Sequence, residues 1–92
     1  MNPLLKELEK VMADGVEAVL SGKKKTFKTP LPIYPRLLQN YMAKHHKDFE
    51  MGEQDTNGWQ YDWWLPFSKD GVTYKGFGCG YDAGFEFYKD ED

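Results

Sequence analysis

The dipeptide Asp70-Gly71 sits between two runs of alternating large side chains, and that combination restricts the second half of the chain to a β-hairpin. Upstream, Trp59, Tyr61, Trp63, Leu65 and Phe67 share one face, while Gln60, Asp62, Trp64, Pro66 and Ser68 share the other. Downstream, residues 72–81 run back, and Asp82-Ala83-Gly84 turns the chain again into Phe85-Glu86-Phe87-Tyr88. A three-stranded antiparallel meander is predicted. Pro66 brings no N–H to a ladder, which places the first strand, or at least that end of it, at a sheet edge.

The turn also sets the pairing. With Asp70 and Gly71 as the two central turn residues, cross-strand partners sum to 141, so Phe67 faces Tyr74, Leu65 faces Gly76, Trp63 faces Gly78 and Tyr61 faces Gly80. Rings laid over bare glycines account for three alternate glycines in one strand, because an aromatic side chain covers the backbone that glycine leaves unprotected. A three-residue loop with a bulge at Gly71 shifts the sum to 140 and sets Trp63 against Phe77. The first register is preferred.

Two helices are predicted ahead of the strands. Asn2-Pro3 is a start signal, and Leu4, Leu8, Val11, Met12, Gly15 and Val19 recur at helical spacing until Ser21-Gly22 supplies a left-handed stop. Gly15 within that pattern implies either a close helix contact, the preferred reading, or a break near Asp14. Thr29-Pro30-Leu31-Pro32-Ile33-Tyr34-Pro35 reads as an extended connector, and Pro35 opens a second helix with Leu37, Leu38, Tyr41, Met42, His45 and Phe49 on its apolar stripe. Residues 51–58 read as a polar loop. The expectation is one α+β domain over residues 1–92: two N-terminal helices followed by a three-stranded antiparallel meander packed on them.

Because Trp63 and Trp64 are adjacent, they point to opposite faces of the sheet, and two short helices shelter only one face. In the preferred register Trp64 lies beside Phe77 on the second face, with Tyr81 farther along, forming an aromatic strip ringed by Asp62, Asp82 and Glu86. Exposed aromatic surface on a small domain usually marks a contact site; the alternative is that the C-terminal segment or the proline connector folds over the strip, or that the face merely carries scattered exposed rings. Aromatics supply desolvated anchors and carboxylates steer a basic partner.

Charge is divided along the chain. Residues 1–48 hold nine Lys and Arg against five acids, and residues 49–92 hold three against ten, giving +4 and −7 in a chain of net −3. Residues 21–47 contain Lys23, Lys24, Lys25, Lys28, Arg36, Lys44 and Lys47 and no acid. The simpler reading of that run is a solvated face that complements the acidic half. An alternative puts Lys23, Lys24, Lys25, Lys28 and Lys75 on phosphates, with the sheet aromatics stacked on the bases of a single-stranded nucleic acid or on a nucleotide. The acidic excess overall argues against a general nucleic-acid binder.

Other motifs fall short of a chemistry. Lys75-Gly76-Phe77-Gly78 matches the opening of the RNA-recognition signature, but Cys79, Gly80 and Asp82 then replace its second aromatic, its aliphatic and its last aromatic. Gly76-x-Gly78-x-Gly80 precedes a strand where a dinucleotide fingerprint needs a helix. Glu53-x-Asp55-x-Asn57-Gly58 resembles half a calcium loop, with Trp64 where the closing Glu belongs. His45 and His46 have no recognised metal spacing, His45 being expected as a half-buried core residue with His46 bordering the stripe. Cys79 is the single cysteine, so it has neither an internal disulfide partner nor a second thiol for zinc. No cofactor, metal or catalytic residue is expected. No apolar run reaches the ~18 residues of a membrane helix, and the N-terminus lacks the basic-then-apolar order of a signal peptide, so a cytoplasmic, non-membrane protein is expected.

In size, acidity and aromatic content (16% Phe, Trp and Tyr) the chain resembles small phage-borne or mobile-element inhibitors, including anti-CRISPR and other anti-defence proteins; the resemblance covers no motif. It implies a non-catalytic protein that docks on a larger host protein or complex with a basic surface.

Overall fold

The computed structural model describes residues 3–57, 62–79 and 84–90. Its elements are α1 (Pro3–Leu20), β1 (Thr26–Thr29), α2 (Pro35–His45), β2 (Glu50–Met51), β3 (Asp55–Asn57), β4 (Asp62–Lys69), β5 (Val72–Cys79) and β6 (Phe85–Asp90). The strands form one antiparallel sheet of six, in the order β1-β6-β5-β4-β2, with β3 also paired to β4. This corrects the predicted three-stranded meander. That meander is present as β4-β5-β6, extended on one side by β1 and on the other by β2 and β3.

The strands missed from sequence are short and polar. β1 falls in what reads as connector; Thr26, Phe27, Lys28 and Thr29 pair with Tyr88, Phe87, Glu86 and Phe85, and only the Phe27 ring, in a run of lysines, hints at a buried side. β2 runs into the start of the predicted polar loop and β3 lies inside it. Met51 pairs with Phe67 and Asp55 with Trp64, so residues 52–54 oppose only Leu65 and Pro66, a one-residue bulge in a single edge strand. Gly52 N–H donates to the Pro66 carbonyl at 3.0 Å, so the proline's missing donor faces this bulge. β4 is therefore flanked on both sides, and its predicted place at the sheet edge is overturned.

The hairpin takes the preferred register. Asp70 (φ 53°) and Gly71 (φ 81°) both adopt the left-handed conformation that a two-residue turn of this hand requires. Trp63 then faces Gly78, Leu65 faces Gly76 and Phe67 faces Tyr74. The partnering of Tyr61 with Gly80 lies outside the described residues, as do Asn2, Tyr81 and Asp82.

Alternation sends Trp63, Leu65, Phe67, Phe85 and Phe87 to one face, where they pack with Leu8, Met12, Val16 and Val19 of α1 and Leu38 and Met42 of α2. α1 crosses β1 and β6, and α2 crosses β4 and β5. Gly15 is where α1 touches β1: a methyl group there would overlap the Phe27 ring, so glycine lets the strand pass close beneath the helix. The predicted stop holds, with Gly22 at φ 85° and Lys24 N–H bonded to the Ala18 carbonyl at 3.1 Å. Leu4, expected on the apolar face, is 59% exposed, and the buried side of α1 begins only at Leu8.

α2 ends sooner than its pattern implies. Pro35 opens it behind an extended Tyr34, but after His45 the chain turns, Phe49 N–H donating to the His46 carbonyl at 3.2 Å, so that Glu50 can pair with Ser68. Phe49 leaves the helical stripe and packs on Tyr74 and His46 at ring separations of 6.0 and 5.5 Å. The expected roles of the two histidines are exchanged: His45 is exposed and His46 is half-buried.

Candidate functional site

The face of the sheet turned away from the helices carries the strip anticipated from sequence. Cross-strand pairing assembles it in transverse rows. One row runs Lys28, Glu86, Phe77, Trp64, Asp55, and the next runs Thr26, Tyr88, Lys75, Pro66. Trp64 and Phe77 touch at a ring separation of 5.2 Å, and both are half-buried; no helix packs on them. Pro66 and Tyr88 extend this apolar centre.

Charges border it in pairs. Lys28 Nζ lies 3.6 Å from Glu86 Oε1, and Lys75 Nζ lies 3.2 Å from Asp90 Oδ2. Between them, burial raises the Tyr88 phenol above its ordinary range, Asp90 and Glu86 adding to the effect against the pull of Lys75. Tyr88 thus keeps its proton, and its hydroxyl remains a donor. Asp62 behaves differently from every other described residue of this face. It is only 8% exposed, and its Oδ1 has no hydrogen-bond partner.

Of the residues anticipated for partner binding, Trp64, Phe77, Asp62 and Glu86 therefore share one face, and Tyr81 and Asp82 lie outside the described residues. The alternative phosphate set divides. Lys28 and Lys75 reach the same face but are each engaged by an acid, whereas Lys23, Lys24 and Lys25 precede β1 as an exposed segment.

A second cluster, unanticipated from sequence, ties α1 to the end of α2. Glu17 Oε2 accepts from the Tyr41 hydroxyl at 2.5 Å and meets His46 Nε2 at 2.6 Å. Burial opposes ionisation of Glu17, but the hydrogen bonds from Tyr41 and His46 outweigh it and hold the carboxyl below its usual range. Tyr41 moves the other way: burial and the adjacent carboxylate push its phenol well above the ordinary tyrosine range. The three groups are 24 and 29 residues apart, beyond any local pattern, so no spacing could have announced them. Beside them lies a cleft of about 470 Å³, lined by Glu17, Ser21, His46, Phe49, Lys69 and Tyr74. Its acid and imidazole already satisfy each other, and its lysine pairs with Asp48 at 2.5 Å. The cluster acts as a clamp between helices.

The described part of the calcium-like segment ends in a strand, and its Gly58 lies outside the described residues. Asp55 and Asn57 are drawn into β3, opposite Trp64 and Asp62. Among the described residues no three His, Cys, Asp or Glu side chains are grouped as metal ligands, and no helix is long and apolar enough to cross a membrane. Compared with protein-family models, curated proteins and solved structures, the chain matches none.

Proposed function

We propose that this protein is a non-catalytic binding module that docks, through the helix-free face of its sheet, on a basic surface of a larger protein. The observation that carries the reading is the Trp64–Phe77 pair, held at the centre of that face with no helix over it and bordered by Asp55, Asp62, Glu86 and Asp90. Aromatic anchors inside a polar rim are the usual energetic centre of a protein interface. The face's two lysines are each occupied by an acid of its own, so its unspent charge is negative, which favours a cationic partner over a phosphate backbone. Occupying a functional surface of a larger complex would make such a module a steric inhibitor, the role implied by its size and composition.

The experiment is capture from lysate of the organism that encodes the chain, with nuclease treatment, comparing wild type, Trp64→Ala and a Lys23/Lys24/Lys25→Glu triple variant. A defined protein partner retained by the lysine variant and lost by Trp64→Ala supports docking. Retention of nucleic acid that depends on the lysines overturns it in favour of the phosphate-binding alternative.

A further inference from the structure

Two hydrogen-bond donors on the open face are left idle by the fold. Cross-strand pairing puts Trp64 in one row with Phe77 and Asp55, and Tyr88 in the next row with Lys75 and Pro66. Among the described residues, neither the Trp64 indole N–H nor the Tyr88 hydroxyl makes a hydrogen bond. Both side chains are half-buried, yet the buried side-chain polar atom without a partner is Asp62 Oδ1, so these two donors remain at the surface. Lys75, which lies between them, is drawn one row further to Asp90.

Spacing and chemistry together define what fits. Trp64 and Tyr88 are two strands and two residues apart, about 12 Å by ordinary strand spacing and rise. About four residues of polyproline II helix, at ~3.1 Å each, cover that distance. Such a segment leaves its carbonyls unbonded and can accept from both donors, whereas an α-helix has already satisfied the carbonyls along its side. An ordinary extended segment also brings N–H groups, for which the aromatic centre has no acceptor; proline brings none. Its flat apolar ring suits the surface of Trp64, Phe77 and Pro66. Asp55 adds a charge: it is exposed, stands directly across from Trp64 and joins no ion pair among the described residues.

Resting on the docking role proposed above, we infer that the open face receives a proline-rich segment of the partner in the polyproline II conformation. Its proline rings lie on Trp64 and Phe77, its carbonyls accept from the Trp64 indole and the Tyr88 hydroxyl, and a lysine or arginine flanking the prolines meets Asp55. The face is then a peptide-recognition surface of the aromatic, proline-reading kind.

The test uses the full chain, labelled with ¹⁵N. The probe is a capped peptide of about ten residues, arginine followed by prolines; the controls are the same peptide with Gly-Ser repeats for the prolines, an all-proline peptide and oligothymidylate. The arginine-proline probe is expected to give saturable shifts of the Trp64 indole N–H and of the amides of residues 64–65, 75–77 and 86–88. The Gly-Ser peptide should bind about tenfold more weakly, since it must be ordered on binding. Tyr88→Phe keeps the ring and removes the donor; it should retain the native spectrum and weaken the probe about threefold or more. Asp55→Asn should erase the preference for the arginine-bearing peptide over the all-proline one. Equal binding of the Gly-Ser peptide, shifts produced by oligothymidylate alone, or unchanged binding in Tyr88→Phe would overturn the assignment. The partner-capture experiment separates this inference from the reading beneath it. Loss of the partner with Trp64→Ala but full retention with Tyr88→Phe and in excess proline peptide leaves docking intact and removes the proline-rich segment. Retention by Trp64→Ala as well removes both.

Discussion

Adding one methyl group at Gly78 tests the hairpin register and the burial of Trp63 together. Gly78 stands opposite Trp63, and a Cβ there would overlap three atoms of the indole, the farthest at 2.6 Å. Trp63 is 6% exposed and stacks on Phe85 at 6.0 Å, so the ring has nowhere to go without breaking core contacts. Overpacking of this kind costs about 1–3 kcal/mol, and replacing a strand glycine returns about 0.5–1 kcal/mol, leaving a net loss of up to about 2.5 kcal/mol, centred on about 1 kcal/mol, for Gly78→Ala. In a domain this small each kcal/mol lowers Tm by about 4–8 °C, which urea titration and thermal melting both resolve. Once Trp63 is Leu the overlap disappears, so the same methyl group should become neutral or mildly stabilising, with a coupling of about 1 kcal/mol or more in the double-mutant cycle. Gly78→Ala at or above wild-type stability would refute the packing described for Trp63. A penalty that persisted unchanged beside Trp63→Leu would do the same.

Trp63→Ala and Trp64→Ala, neighbours in sequence, should differ: about 3–5 kcal/mol for the buried ring against about 1–2 kcal/mol for the half-buried one, read by chemical denaturation, and equal losses would mean that Trp64 is core. Gly15→Ala should destabilise by about 1–2 kcal/mol although alanine favours helix, because its methyl group meets Phe27; a gain in stability would show that β1 does not lie against α1. Glu17→Gln should cost about 1 kcal/mol or less, the carboxylate's 50% exposure reducing its worth. Since folding lowers the Glu17 pKa, the clamp contributes fully above the unfolded carboxylate range and is lost as pH falls through the lower folded value. Tyr41, raised on folding, contributes below its unfolded range and loses that contribution as pH climbs above about 10. Stability measured against pH should therefore decline at both ends, and Glu17→Gln should flatten both declines; an unaltered profile would count against the clamp.

What was legible in the sequence was whatever a short-range rule could carry. A period of two, a turn dipeptide and alternate glycines specified β4, β5, their register and the opposite outlook of Trp63 and Trp64, because all of that is decided within twenty residues of Asp70. The same rules failed at β1, β2 and β3. Thr26–Thr29 becomes a strand because β6 offers an unpaired edge and Gly15 leaves room for Phe27, two conditions set 60 residues downstream and 12 upstream. Asp55–Asn57 looks like turn material until β4 supplies a ladder for it. The histidines were exchanged for a related reason: their stripe assumes that the helix continues, and β2 requires that it stop. At the open face, the aromatic pair could be anticipated from alternation alone. Asp62 was placed in the rim by the same logic, but its burial and missing donor depend on how the sheet's surface closes around it, which no pattern of residues encodes.

The division of charge along the chain acquires its meaning from the sheet order. A basic first half and an acidic second half could have produced a molecule with two poles, one of them a groove for phosphates. Instead β1, drawn from the basic half, is laid beside β6, drawn from the acidic half, and Lys28 is set against Glu86. Lys75, the acidic half's own cation on this face, is met by Asp90. Folding thus sets Lys28, the lysine of Asp55's own row, against Glu86 at the far side of the sheet, and leaves Asp55 and Asp62 on β3 and β4 without a lysine across from them. The aromatic pair lies at that end of the sheet, next to them. On the docking reading proposed above, a partner would meet the aromatic pair on the side of the sheet where carboxylates outnumber lysines, which favours a cationic partner.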